Sequence, residues 1–225
     1  MAEAWPEWMG RAFSEPRMEP YLDACGGDAS RAGRLYWWNV EVCGALYGPL
    51  HCLELTVRNA LHTVLTEHYG RADWWESAPL NAQGLRLVAK ARAKCAGRRG
   101  PAPRKVRADS VVAELSFGFW AALISGGSGY DRALWVPVAH KAFPCYSGRR
   151  DSLYDALWSL VLLRNRVMHH EPVHTRHLAA DHAKIYRLLG YVSPALVPEV
   201  RAMDRFPAVL HHRAATCDGS RPPRF

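Results

Sequence analysis

From Asp28 to Gly70 the apolar residues return every three or four positions, and this repeat constrains the fold more than any other feature of the chain. Leu35, Trp38, Val42, Ala45 and Leu46 share one helical face, and Leu50, Leu53, Val57, Leu61, Val64 and Leu65 form another. Asp28 is placed to cap the first helix, Gly48-Pro49 is expected to break or kink the run after Tyr47, and Gly70 ends the second. The same period returns over 81–96, at Val112, Leu115, Phe119 and Leu123 behind a cap at Asp109, and in a helix opened by Asp151 whose face carries Leu153, Leu157, Leu160, Arg164 and Val167. Ser14-Glu15-Pro16 marks a helix start, Tyr130 to Phe143 a short helix, and His174 to Leu189 a last long one closed by Gly190. No window of four to eight residues alternates apolar and polar side chains between turn signals, so the sequence predicts an all-α fold. Residues 1–14 are expected as an irregular lead-in, 15–210 as a single all-α domain and 211–225 as a disordered tail.

The formal charge of +8 points to an anionic partner, nucleic acid ahead of a membrane surface. Its source is local. From Ser77 to Ala108 there is no acidic residue, while Arg86, Lys90, Arg92, Lys94, Arg98, Arg99, Arg104, Lys105 and Arg107 are basic. The Gly/Pro/Arg centre of this stretch predicts an exposed, mobile loop over 97–108. Arg92, Lys94, Arg98, Arg99, Arg104, Lys105 and Arg107 are thus candidate RNA-binding residues, suited to holding phosphates without choosing a sequence. The glycines of 125–129 neither follow a strand nor carry a P-loop lysine, which argues against a nucleotide cradle. Six cysteines without a Cys-x-x-Cys pair indicate reduced, mostly buried thiols and neither a disulfide framework nor a metal site. No signal-peptide pattern and no membrane-length apolar run is present, so a soluble, cytoplasmic protein is expected.

The residues richest in chemistry are Arg164-Asn165-Arg166-Val167-Met168-His169-His170-Glu171-Pro172-Val173. Charge held against a core is expensive unless it is paired or used. Pro172 disfavours helical geometry at Glu171, so the helix should end near His169 or His170. An imidazole at a helix C-terminus sits at the negative end of the dipole, which favours its protonated form. With a fixed guanidinium it can move protons and neutralise charge in phosphodiester cleavage, and RNA supplies its own nucleophile in the 2′-hydroxyl. Glu54 and Arg58 are spaced for an intrahelical pair beside Asn59, and His62 reads as a surface or packing residue. A zinc site on His169, His170, His174, His177 and His182 is disfavoured, because Pro172 interrupts the spacing and no Cys or Asp completes the set.

Arg164 to Val173 resembles the Arg-Asn-x-x-x-His-His segment of the Abi-like (abortive infection) family, a branch of the HEPN superfamily of helical bundles. Leu53 to Leu61, Tyr69-Gly70 with Trp74-Trp75, Glu114 to Trp120, and Trp135 with Ala142-Phe143-Pro144 agree in order and spacing, over roughly residues 40–192. The resemblance implies a HEPN-like bundle with additional flanking helices and a metal-independent endoribonuclease without cofactor, acting in phage defence or as a toxin. Its products would be a 2′,3′-cyclic phosphate and a 5′-hydroxyl. It further implies a homodimer with a composite site, RNA as substrate, and an antitoxin or phage-derived trigger as a further partner. On these residues Arg164 would stabilise the phosphate, His169 serve as general acid/base and Asn165 orient or contact the phosphate. His170, Glu171, Glu54, Arg58 and Asn59 are possible supporting residues. Some members of the superfamily bind RNA or assemble without cutting, which leaves a non-catalytic module as the alternative.

Overall fold

The computed structural model describes residues 6–97, 106–127 and 129–225, the side chain of Glu7 apart. The regular elements among them are all helical, so the chain is all-α. In order these are α1 (Glu7–Phe13), α2 (Glu15–Ala24), α3 (Ala29–Tyr69), α4 (Ala82–Gly97), α5 (Ala108–Glu114), α6 (Phe117–Ala122), α7 (Arg150–Met168), α8 (Leu178–Val192), α9 (Leu196–Ala202), α10 (Phe206–His211) and α11 (Arg213–Asp218). Short 3-10 turns occupy Trp74–Glu76 and Ala139–Ala142, and a π turn occupies Asp131–Trp135. None of the described helices is long and apolar enough to cross a membrane.

Of the expected break or kink at Gly48-Pro49, the break does not occur: α3 is one helix of 41 residues with Pro49 inside it. Proline removes the N–H that would bond the Ala45 carbonyl, a defect of about 3 kcal/mol. Around it Leu46, Leu50 and Leu53 are almost fully buried. Each such leucine contributes about 1.5–3 kcal/mol, so burial outweighs the defect. Asp28 caps the helix as expected, its Oδ1 accepting the Arg31 N–H at 2.9 Å. At the far end Gly70 takes φ +67° and the Arg71 N–H reaches the Thr66 carbonyl at 3.2 Å.

Other boundaries also move. The single helix expected after Asp109 is two, because Leu115 turns to extended geometry and the Ser116 hydroxyl then caps α6 by accepting the Phe119 N–H at 3.3 Å. Asp109 therefore lies within α5. Gly190 does not stop α8, and 130–143 holds a π turn and a 3-10 turn in place of a helix. The lead-in contains α1.

The chain gathers into two compact units, 1–50 with 163–183 and 199–225, and 51–162 with 184–198. In the first, Met18, Tyr21, Leu35, Trp38, Val42, Leu163, Val173, Phe206 and Val209 are buried. Residues 211–225 belong to this unit and correct the expectation of a disordered tail. Thr216 of α11 is fully buried, Arg213 lies 4.7 Å over the Trp38 ring, and Phe225 stacks on Trp37. Arg221 grips Glu41 of α3 with two hydrogen bonds of 2.9 and 3.1 Å and also donates to the Thr216 hydroxyl.

In the second unit Trp74, Trp75, Phe119 and Trp120 form a buried aromatic cluster. The Trp74 indole N–H donates to His62 Nδ1 at 3.1 Å, which makes the half-buried His62 a packing residue, the second of its two expected roles. Leu153, Leu157 and Leu160 of α7 are buried, as their spacing predicts. All six cysteines are free, but only Cys95 is buried, fewer than expected.

Candidate functional site

At the end of α7 in the first unit, Leu163 and Val167 are buried, Arg164 is half-buried, and Asn165, His169 and His170 are exposed. The His169 N–H is bonded to the Asn165 carbonyl at 2.9 Å, continuing the helical ladder one residue past Met168. His170 then leaves the helix with φ +60°. Its N–H bonds the Val167 carbonyl at 3.3 Å and the Glu171 N–H bonds the Arg166 carbonyl at 2.8 Å. This is a Schellman cap with histidine where glycine is usual. The left-handed conformation costs a side-chain-bearing residue about 1–2 kcal/mol. Those two bonds hold it, together with Arg17 Nη1, which donates to the His170 carbonyl at 2.6 Å. His170 is therefore displaced from the helical register that its adjacency to His169 suggests. Replacing His170 by glycine is expected to raise the melting temperature by about 2–4 °C, since glycine adopts this geometry freely. A thermal melt that falls instead would show that the imidazole contributes more than the backbone loses.

The remaining candidates separate. Glu171 faces Arg166 at 3.8 Å, so it pairs with the arginine and not with a histidine. The histidines weighed as zinc ligands go to different partners. His177 Nδ1 accepts the Ala180 N–H at 3.1 Å, His182 Nε2 lies 2.6 Å from Asp204, and His174 packs 4.9 Å from the Tyr21 ring. Among the described residues no group of three His, Cys, Asp or Glu is placed to hold a metal. In the second unit Glu54 and Arg58 are half-buried, Asn59 is exposed, and Arg58 Nε donates to Asn59 Oδ1 at 3.1 Å.

Of the RNA-binding candidates, Arg92 pairs with Glu76, Lys94 with Glu114 at 2.7 Å and Arg107 with Asp109 at 2.9 Å. The Arg92 and Arg107 pairs are exposed and worth roughly 0–1 kcal/mol, which a phosphate can displace, whereas the Glu114 side chain that holds Lys94 is only 12% exposed. Arg98, Arg99, Arg104 and Lys105, and most of the expected mobile loop, lie outside the described residues.

Two imidazoles are expected to lower stability in acid. His174 is buried with Nε2 lacking a hydrogen-bond partner among the described residues. Burial, and then the nearby Arg213 charge, push its pKa below the ordinary 6.5. His62 is lowered by burial too, against an opposing pull from Asp109, and its protonation would place a hydrogen where Trp74 now donates. The unfolded chain thus binds these protons at a higher pH than the folded one. Stability is fully present above about pH 6.5 and falls as the pH drops below it. Melting temperature followed from pH 7 to 5 should show this decline, and His174→Phe should flatten it. An unchanged slope would remove His174 from the account.

The first unit also contains a cleft of about 640 Å³ between α3 and the end of α7. Tyr36, Asn39, Gly44 and Tyr47 of α3 line it together with Val167, Met168 and His170, and Arg205 and Phe225 complete the lining. Of the motif's polar residues, His170 lines this cleft, whereas Arg164, Asn165 and His169 do not. Asn39 Oδ1 accepts the Val173 N–H at 2.8 Å in a buried position. An amide on the apolar stripe of α3 was the one sequence signal for this lining; Arg205 gave none. No family model, curated protein or solved structure matches the chain.

Proposed function

We propose that the chain is an Abi-like member of the HEPN superfamily, a metal-independent endoribonuclease of the cytoplasm that serves phage defence or growth arrest. The observation that carries this reading is the position of His169. It stands in solvent directly past α7, its N–H tied to the Asn165 carbonyl, five residues after the half-buried Arg164. An imidazole there is free to meet a phosphodiester and sits at the negative end of the helix dipole. In the reaction the RNA 2′-oxygen attacks its neighbouring phosphorus and the bond from phosphorus to the 5′-oxygen breaks. The imidazole takes the 2′-hydroxyl proton or gives one to the leaving 5′-oxygen, while Arg164 neutralises the phosphate. Steps of both kinds call for two such groups, which a homodimer provides. Trp158 and Leu162, one turn apart on α7, are exposed and form an apolar strip suited to a second copy.

The test is RNA cleavage in EDTA by wild type, Arg164→Ala and His169→Ala. Wild type should release 2′,3′-cyclic phosphate ends, and equal activity in all three proteins would overturn the assignment. Loss of wild-type cleavage in EDTA would favour a metal-dependent reaction instead. The second reading, RNA binding without cleavage, is favoured by the exposed Arg92, Lys94 and Arg107. It predicts salt-dependent binding that survives loss of His169 and yields no products.

A further inference from the structure

The cleft of the first unit takes no part in the chemistry proposed for Arg164 and His169, yet its lining is selective. Among the described residues the Arg205 guanidinium and the His170 imidazole line it, and no Asp or Glu side chain does. The Arg205 guanidinium has no hydrogen-bond or ion-pair partner among the described residues. It lies so close to α3 that a methyl group on Gly44 would stand 3.2 Å from Nη2, so glycine leaves the space in which the cation rests. Tyr36, the half-exposed Tyr47 and Phe225 add aromatic rings to the lining. Asn39, 3% exposed, also lines the cleft. Its Oδ1 is committed to the Val173 N–H, which leaves Nδ2 as a donor whose one contact is the weak Cys43 Sγ at 3.8 Å.

Aromatic faces, an oriented amide donor and an unopposed guanidinium match the three parts of a nucleotide: a flat base, its polar edge and its phosphate. The cleft volume falls in the range of small-ligand sites, about 300–1,000 Å³. We propose that this cleft receives one unpaired nucleotide of an RNA strand, with the base against Tyr36 and Tyr47, its edge toward Asn39 and its phosphate on Arg205. Its role as a subsite for a strand being cut rests on the ribonuclease reading above; the nucleotide site itself rests on the lining alone.

Calorimetric titration tests it with AMP, adenosine, inorganic phosphate and a 2′-O-methyl RNA trinucleotide, which has no free 2′-hydroxyl to attack. Two variants alter exposed positions and spare the core. Gly44→Leu fills the cleft while improving helix propensity, so its melting temperature should not fall. Arg205→Glu reverses the charge. AMP and the trinucleotide should bind wild type more tightly than phosphate alone, and Gly44→Leu should abolish both. Arg205→Glu should weaken both by about 10-fold or more while changing adenosine binding by less than about 3-fold. Binding of AMP and trinucleotide that matches phosphate alone, or that ignores both variants, would overturn the proposal. Cleavage of RNA by wild type alongside such indifference would leave the nuclease standing without this subsite. Variant-sensitive AMP binding in a protein that never cuts RNA would leave a nucleotide site and sink the nuclease.

Discussion

Alanine at His169 is expected to slow RNA cleavage in EDTA by about 10²–10⁴-fold, the usual contribution of a positioned general acid or base. His169 is exposed, so the substitution removes little packing, and its melting temperature should match wild type. Arg164→Ala should cost about 10²–10³-fold, the scale of losing a fixed donor to transition-state charge. Arg164→Lys separates charge from geometry. A lysine keeps the cation but not the planar fork, and it should recover only part of the rate if the guanidinium holds two phosphate oxygens. A His169→Ala protein that cuts at the wild-type rate would move the chemistry elsewhere on the chain.

Alanine at Arg221 is the substitution with the largest expected effect on folding. Glu41 is 1% exposed and its carboxylate receives two hydrogen bonds from Arg221. Removing the guanidinium leaves a buried charge with its main partner gone, and the melting temperature should fall by on the order of 10 °C. The double variant Glu41→Leu with Arg221→Ala should recover most of that loss, because an apolar residue at 41 removes the stranded charge. If the single variant melts like wild type, the Arg221–Glu41 bonds do not contribute to the stability of the first unit. If the double variant melts no higher than the single one, Arg221 acts through Thr216 or packing and not through Glu41.

The all-helical class was legible because it depends on spacing. Leu35, Trp38, Val42, Leu53, Val57 and Leu61 are buried where a 3.6-residue repeat places them. What the sequence concealed was decided over distance. Pro49 reads as a break by local propensity, and only the leucines packed around it show why the helix continues. The Gly/Pro/Arg composition after Cys217 reads as disorder, because the group that orders it, Glu41, lies 180 residues earlier. Within the candidate site, the end of α7 was legible from Pro172. The cleft was not, since its walls come from 36–47, 167–170, 205 and 225, segments that no short motif spans.

The loop that follows His169 takes its shape from partners outside the motif. Arg17 in α2 holds the His170 carbonyl, and Asn39 in α3 holds the Val173 N–H. Residues 164–173 are consequently not a portable cassette. Grafted onto another helix without that donor and that acceptor, the same ten residues would keep their side chains and lose the bend that presents them. A scaffold built to carry this segment must supply an equivalent arginine and amide first.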